Sequence, residues 1–229
     1  MKAEFWKDRW EQNQLGWHQS EANPRLVREW PSLGVPGDAT VFVPLCGKSL
    51  DMRWLREQGH PILGCELSSI ACRDFFVEGA VEVAPMRDGA FERFEAEGFR
   101  LLNGDLFDLT AQDLEGVGGV FDRGSLVALP PEMRARYAAH LTKILPATVR
   151  ILLLTFEYDQ SVVDGPPHSV PAEEVVALFG DAFALTRRFL SEPSPPRQPH
   201  FIEAGLESTQ ESVWVLERSP DGPTGRLDR

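Results

Sequence analysis

The chain has 229 residues, 42% hydrophobic and 25% charged, enough to build one large α/β domain and too apolar for global disorder. Its formal net charge of −12 excludes nucleic acid and anionic membrane as main partners, because both need clustered basic surface. Three cysteines without a CxxC pair, a polar start with no signal peptide and no apolar run of about 18 residues predict reduced thiols, a cytoplasmic location and no membrane span.

In chain order, residues 3–12 carry Phe5, Trp6 and Trp10 among charges, with the two tryptophans four apart on one helix face. Gln14-Leu15-Gly16-Trp17-His18 ends that helix and adds further rings. Aromatics so spaced are either ordinary core or a lid over a flat, purine-like ligand. Residues 1–35 are expected to form a helical lid over a cofactor site. Asn23-Pro24 supplies an N-cap and a first-turn proline, and the helix it opens runs through Trp30 to Pro31.

Thr40 to Ser68 reads as strand, tight loop, helix and strand. Val41-Phe42-Val43 is a run suited to a strand covered on both faces. Gly47 turns the chain, Leu50, Trp54 and Leu55 recur at helical spacing, and Gly59 stops the helix. Glu66 ends the second strand, 19 residues past Gly47. In this layout a helix N-terminus receives one part of a cofactor while a carboxylate about 20 residues on accepts ribose hydroxyls. The bland alternative is a surface glutamate at a strand end.

Gly47-Lys48-Ser49 imitates the end of a P-loop, but Phe42 stands where that motif needs its first glycine, which excludes a phosphate cradle. A single glycine also disfavours a dinucleotide, whose pyrophosphate needs G-x-G-x-x-G. Such a loop suits S-adenosylmethionine, an adenosine carrying a zwitterionic amino acid and no pyrophosphate. Lys48 is expected in solvent or on that ligand's carboxylate, and Cys46 as a small buried hydrophobe.

Residues 79–98 lack clear periodicity and predict an irregular excursion. Phe99–Leu102 is a third strand, after which Asp105 is placed beside an adenine, with Leu106 offering a backbone N–H. Gly119–Phe121 is a fourth strand, followed by Asp122-Arg123. Arg123 either holds a ligand carboxylate or polarises an acceptor, or forms an ion pair with Asp122 or another acid. Pro130-Pro131 opens a helix, Ile151–Phe156 is an aliphatic strand, and Gly165-Pro166-Pro167 is a rigid loop before a helix starting at Pro171. Phe183–Leu190 and Ser212–Glu217 form a terminal antiparallel pair joined by a proline-rich connection. One domain over residues 1–218 is expected, with a disordered tail at 219–229. The five histidines show no metal-ligand spacing, so no metal site is predicted.

The chain resembles the thiopurine S-methyltransferase family, especially its bacterial members. The resemblance lies in F-W-x-x-R-W from Phe5, G-W-H-Q at 16–19, V-P-L-C-G-K-S-L-D-M at 43–52, G-H-P-I-L-G-C-E-L-S at 59–68, F-D-R-G-S-L-V-A-L-P-P at 121–131, Y-D-Q-S at 158–161 and G-P-P-H-S-V at 165–170. It spans roughly residues 4–217. It implies a Rossmann-like class I methyltransferase fold, a seven-stranded, mostly parallel sheet with an antiparallel last strand and helices on both faces. It also implies S-adenosyl-L-methionine as cofactor, held by Trp6, Trp10, Leu45, Glu66, Asp105, Leu106 and Arg123, beside the cofactor turn expected at Gly47. Trp17 replaces a usual phenylalanine in the acceptor pocket, and Arg197 is the nearest counterpart of a late basic acceptor contact. Arg123 is the expected catalytic residue, polarising the acceptor.

The expected function is S-methylation of thiopurines and other aromatic thiols by a monomer. Methylation of selenium or tellurium oxyanions and a non-catalytic cofactor sensor are the alternatives, with a nicotinamide oxidoreductase disfavoured.

Overall fold

A computed structural model describes residues 3–218 and the backbone of 227–228. Residues expected as a single domain group into two compact units, Met1–Phe121 and Asp122–Arg229.

The first unit begins with α1 (Ala3–Glu11) and α2 (Pro24–Glu29), the latter capped as predicted by Asn23, whose side chain accepts from Arg25 N at 2.9 Å. The chain then alternates through β1 (Thr40–Pro44), α3 (Leu50–Glu57), β2 (Ile62–Glu66) and α4 (Ser69–Glu78). Next come β3 (Met86–Asp88), β4 (Phe91–Ala96), β5 (Phe99–Asn103) and β6 (Val117–Arg123), whose last two residues open the second unit. Within this unit the strand order is β6-β1-β2-β5-β4-β3. β1 lies parallel to β2 and β6, and β2 parallel to β5. β1 and β2 are buried almost throughout, as apolar runs in the middle of a parallel sheet are. Parallel register pairs Pro44 with Cys65 and Glu66 with Asn103, so the carboxyl ends of three strands share one edge.

Gly64 sits in β2 because nothing larger fits. A Cβ there would lie 2.5 Å from Leu101 Cδ2 and 2.6 Å from Cys46 Sγ.

The irregular excursion expected over 79–98 is corrected by β3 and β4, an antiparallel hairpin that extends the sheet from β5. Phe91 and Phe94 are its buried residues, three apart on opposite faces, so the alternation that announces a strand is missing. Gly89, at φ +58°, makes the turn.

The second unit holds α5 (Pro131–Ile144), β7 (Arg150–Glu157), α6 (Ala172–Phe179), β8 (Phe183–Leu190), α7 (Pro199–Glu203), β9 (Gln210–Arg218) and β10 (Leu227–Asp228). β9 runs antiparallel to both β7 and β8, so the reversed last long strand lies between them. β10 adds two residues parallel to β8, while 219–226 and 229, the rest of the tail expected to be disordered, lie outside the described residues. Trp214 centres this sheet, fully buried with Nε1–H donating to Thr155 Oγ1 at 3.1 Å. Buried Arg134 on α5 donates to Leu129 O, Ser169 O and Glu174 Oε2, tying α5 to α6 and the loop between β7 and α6. The predicted proline-rich connection 191–205 contains α7, unseen in the sequence because its five residues span little more than one turn.

The class is the expected one: a Rossmann-like α/β fold, with β6, β1, β2 and β5 parallel in the first unit and reversed β9 in the second. β3, β4 and β10 make ten strands among the described residues.

Candidate active site

The loop leaving β1 carries two consecutive-but-one left-handed residues, Leu45 at φ +44° and Gly47 at φ +53°. Glycine adopts that conformation freely, whereas a side chain such as Leu45 costs about 1–3 kcal/mol there. Cys46 N donates to Cys65 O at 3.1 Å, fastening the loop to β2, and Ser49 caps α3 by accepting from Asp51 N at 3.2 Å.

Glu66 faces this loop from the end of β2 and is buried. Its Oε2 accepts from Gly47 N at 2.9 Å and its Oε1 from Ser68 N at 2.8 Å. Burial raises its pKa above the usual carboxylate range, opposed by the amides of Ser68, Gly47 and Leu67. The two oxygens are thus fixed by main-chain amides, and a carboxylate so held can still accept from an outside donor. A plain solvent-facing glutamate at a strand end is thereby ruled out.

Trp10 is buried over the same loop, its ring 3.2 Å from where a Cβ on Gly47 would stand. Gly47 thus serves twice, for its φ and for close approach of an indole. Trp17 meets Trp6 edge-on with centroids 5.3 Å apart, and Trp10 at 6.2 Å. Trp17 remains 39% exposed, so its ring offers a flat wall.

Beyond β5, Gly104 N and Asn103 Nδ2 both donate to Glu66 O at 3.0 Å, joining the two strand ends. Asp105 follows and spends one carboxylate oxygen on Phe107 N at 2.9 Å, capping a short 3-10 turn that starts at buried Leu106. The ring of Phe91 lies 2.5 Å from where a Gly104 Cβ would be, so β4 backs the approach to Asp105. Lys48 corrects the expectation of a solvated residue: its side chain is 11% exposed and pairs with Glu78 at 2.5 Å, at the end of α4.

Of the predicted residues, the structure thus brings Trp6, Trp10, Trp17, Leu45, Gly47, Glu66, Asp105 and Leu106 together in the first unit. Arg123 and Arg197 belong to the second. Arg123 ends β6, half-buried, and the neighbouring Asp122 carboxylate accepts from Tyr137 Oη at 2.6 Å and Leu126 N at 3.4 Å. Arg197 is exposed in the loop before α7. The amides of Ser68 and the side chain of Asn103 were not among the candidates; Asn103, a polar residue ending an apolar strand, carried the one readable signal. Cys46, Cys65 and Cys72 are buried, and desolvation pushes all three thiols well above their ordinary pKa. Among the described residues no group of three or more His, Cys, Asp or Glu is arranged to hold a metal ion, and no helix is long and apolar enough to cross a membrane.

This loop-and-carboxylate geometry sits on a fold shared with solved methyltransferases. A SAM-dependent methyltransferase from Anabaena variabilis matches with a TM-score of 0.63 at 14% identity, covering 95% of each chain. The Burkholderia thailandensis 1,6-didemethyltoxoflavin-N1-methyltransferase, solved with S-adenosylhomocysteine, matches at 0.59 and 17% identity over 95% of this chain and 87% of that one. The fold is that of the S-adenosylmethionine-dependent methyltransferases.

The thiopurine S-methyltransferase family model matches residues 1–219, and the chain belongs to that family. Its relatives include the probable thiopurine S-methyltransferase of Yarrowia lipolytica, 47% identical over 218 residues, 94% of this chain and 100% of that one. The thiopurine S-methyltransferase of Methylococcus capsulatus is 48% identical over 94% of this chain and 97% of its own. The chain is a S-adenosyl-L-methionine-dependent methyltransferase.

The residues fit that cofactor. Glu66 presents a fixed carboxylate that can accept from a diol, the loop has no second glycine for a pyrophosphate, and the Trp10 indole covers it.

Proposed function

We propose that this enzyme S-methylates thiopurines and related aromatic or heterocyclic thiols. The observation that carries the reading is the buried Glu66 carboxylate, anchored by Gly47 and Ser68 amides beneath Trp10, in a chain of the thiopurine S-methyltransferase family. Glu66 accepts the two ribose hydroxyls, Trp6 and Trp10 cover the nucleoside, and the Leu45–Gly47 loop receives the amino-acid end. Asp105 and the Leu106 amide address the adenine.

When bound, S-adenosylmethionine supplies a methyl group activated by a sulfonium. The protein's contribution is placement and dryness: an acceptor sulfur must stand in line with that methyl, away from water. The thiolate is the nucleophile, so the acceptor loses its proton before attack. Heteroaromatic thiols are acidic enough to be partly ionised near neutral pH, and the proton leaves to solvent without a dedicated base. Arg123 favours the anionic acceptor, since a neighbouring cation lowers an acid's pKa. Trp17 provides the aromatic wall, and Arg197 is the late cation assigned to the acceptor.

The test is transfer of labelled methyl from S-adenosylmethionine to 6-mercaptopurine, with tellurite assayed in parallel. Methylated 6-mercaptopurine supports the reading. Label on tellurium alone, or S-adenosylhomocysteine binding with no methylated product from any thiol, contradicts it.

A further inference from the structure

The turn that follows β6 is built around a buried carboxylate that the chemistry above does not use. Asp122 is 2% exposed, and its Oδ2 accepts from Tyr137 Oη at 2.6 Å. Its Oδ1 accepts from Leu126 N at 3.4 Å, and Ser125 adds side-chain and backbone hydrogen bonds. Tyr137 is fully buried on α5, and Ser125 is fully buried too. Gly124, at φ +87°, lets the chain reverse between them. Burial raises the pKa of Asp122, and the hydrogen bonds from Tyr137, Leu126 and Ser125 all act to keep it ionised.

A buried carboxylate is costly, and an apolar pair of similar size would often stabilise the fold as well or better. Asp122 and Arg123 are consecutive residues of a strand, so their side chains leave on opposite faces. Fastening Asp122 to α5 therefore fixes the direction in which Arg123 departs.

We propose that Tyr137 is a positioning residue for methyl transfer: its hydroxyl, through Asp122, sets the orientation in which the end of β6 presents Arg123 to the acceptor. The inference rests on the role given to Arg123 under the proposed function. A charge-assisted bond to an ionised acid is strong and directional, whereas Arg123 itself has a long, rotatable stem. Loosening the turn spreads the guanidinium over several positions. The transferred group is untouched, but the thiolate loses electrostatic support.

Steady-state kinetics with aryl thiols of graded acidity test this in the wild type, Tyr137→Phe, Asp122→Asn and Arg123→Ala, with S-adenosylhomocysteine calorimetry beside them. For Tyr137→Phe, kcat/KM falls about tenfold or more for the least acidic thiols and less than about threefold for the most acidic, which need little help to ionise. Cofactor affinity stays within about twofold, because Glu66, Trp6, Trp10 and the Leu45–Gly47 loop are unchanged. Arg123→Ala steepens the dependence on thiol pKa in the same sense. Asp122→Asn, whose amide oxygen still accepts from the tyrosine, keeps a slope nearer the wild type than Tyr137→Phe does. If Arg123→Ala steepens the slope while Tyr137→Phe lowers every thiol equally or changes nothing, the positioning role is wrong and Arg123 stands. If Arg123→Ala leaves the slope unchanged, the role of Arg123 falls first and the inference with it.

Discussion

Glu66 shows how one side chain is asked to do two things. It anchors the Gly47 loop by hydrogen bonds, and in the proposed function it also accepts from a diol. Hydrogen bonds to a charged group contribute about 1.5–3 kcal/mol each, so Glu66→Ala should weaken S-adenosylhomocysteine roughly 100-fold or more. Glu66→Gln, with one carbonyl oxygen left, should lose nearer tenfold by the same reasoning. Titration calorimetry decides it, and wild-type affinity in both variants would remove Glu66 from the site. Gly64 is a matter of space rather than charge. Adding a methyl there drives Leu101 and Cys46 out of place, so Gly64→Ala should cost about 1–3 kcal/mol and lower Tm by roughly 3–10 °C. An unchanged melting curve would mean that β2 has room the structure does not show. Glu66 was legible in the sequence because spacing from a glycine turn to a strand-end carboxylate survives without coordinates. The crowding at Gly64 was not, since it depends on Leu101 and Cys46 meeting across strands.

Among the elements, the segment from β7 to α6 is held by several polar groups that its own fold or α5 satisfies. His168 N donates to Val127 O at 2.6 Å, Tyr158 Oη to Pro167 O at 2.8 Å, and Ser169 O accepts from Arg134. The His168 ring is buried, and burial together with the Arg134 cation pulls its pKa below the ordinary value, against the weaker opposite pull of Asp164 and Glu132. An unfolded chain takes up this proton more readily than the native loop does. Stability is therefore complete above the unfolded value of about 6.5 and declines as pH falls through the lower native value. Urea midpoints measured from about pH 7.5 to 5, the range where histidine titrates, should drop further for the wild type than for His168→Phe. Parallel curves would show that this imidazole protonates freely in the fold. The strand-helix rhythm of β1, α3 and β2 was readable because both faces are covered and the apolar runs are unbroken. The β3–β4 hairpin was hidden, since Phe91 and Phe94 are buried on opposite faces and cancel the period of two.

At the scale of the molecule, the net charge of −12 and the burial of Cys46 were readable from the sequence, as was the family through its V-P-L-C-G-K and F-D-R-G-S-L blocks. The second unit was less legible: α7 is too short to show a helical period, and Arg134 gains its role only when Leu129, Ser169 and Glu174 converge on it. The central claim joins a cofactor loop to a thiol acceptor, and one spectrum tests both. The enzyme is incubated with 6-mercaptopurine and S-adenosylmethionine carrying a ¹³C-labelled methyl, and the product methyl is followed by NMR. The account predicts a new S-methyl resonance that grows with time and is strongly reduced in Glu66→Ala. A methyl on ring nitrogen, or an S-methyl signal undiminished in that variant, would contradict it.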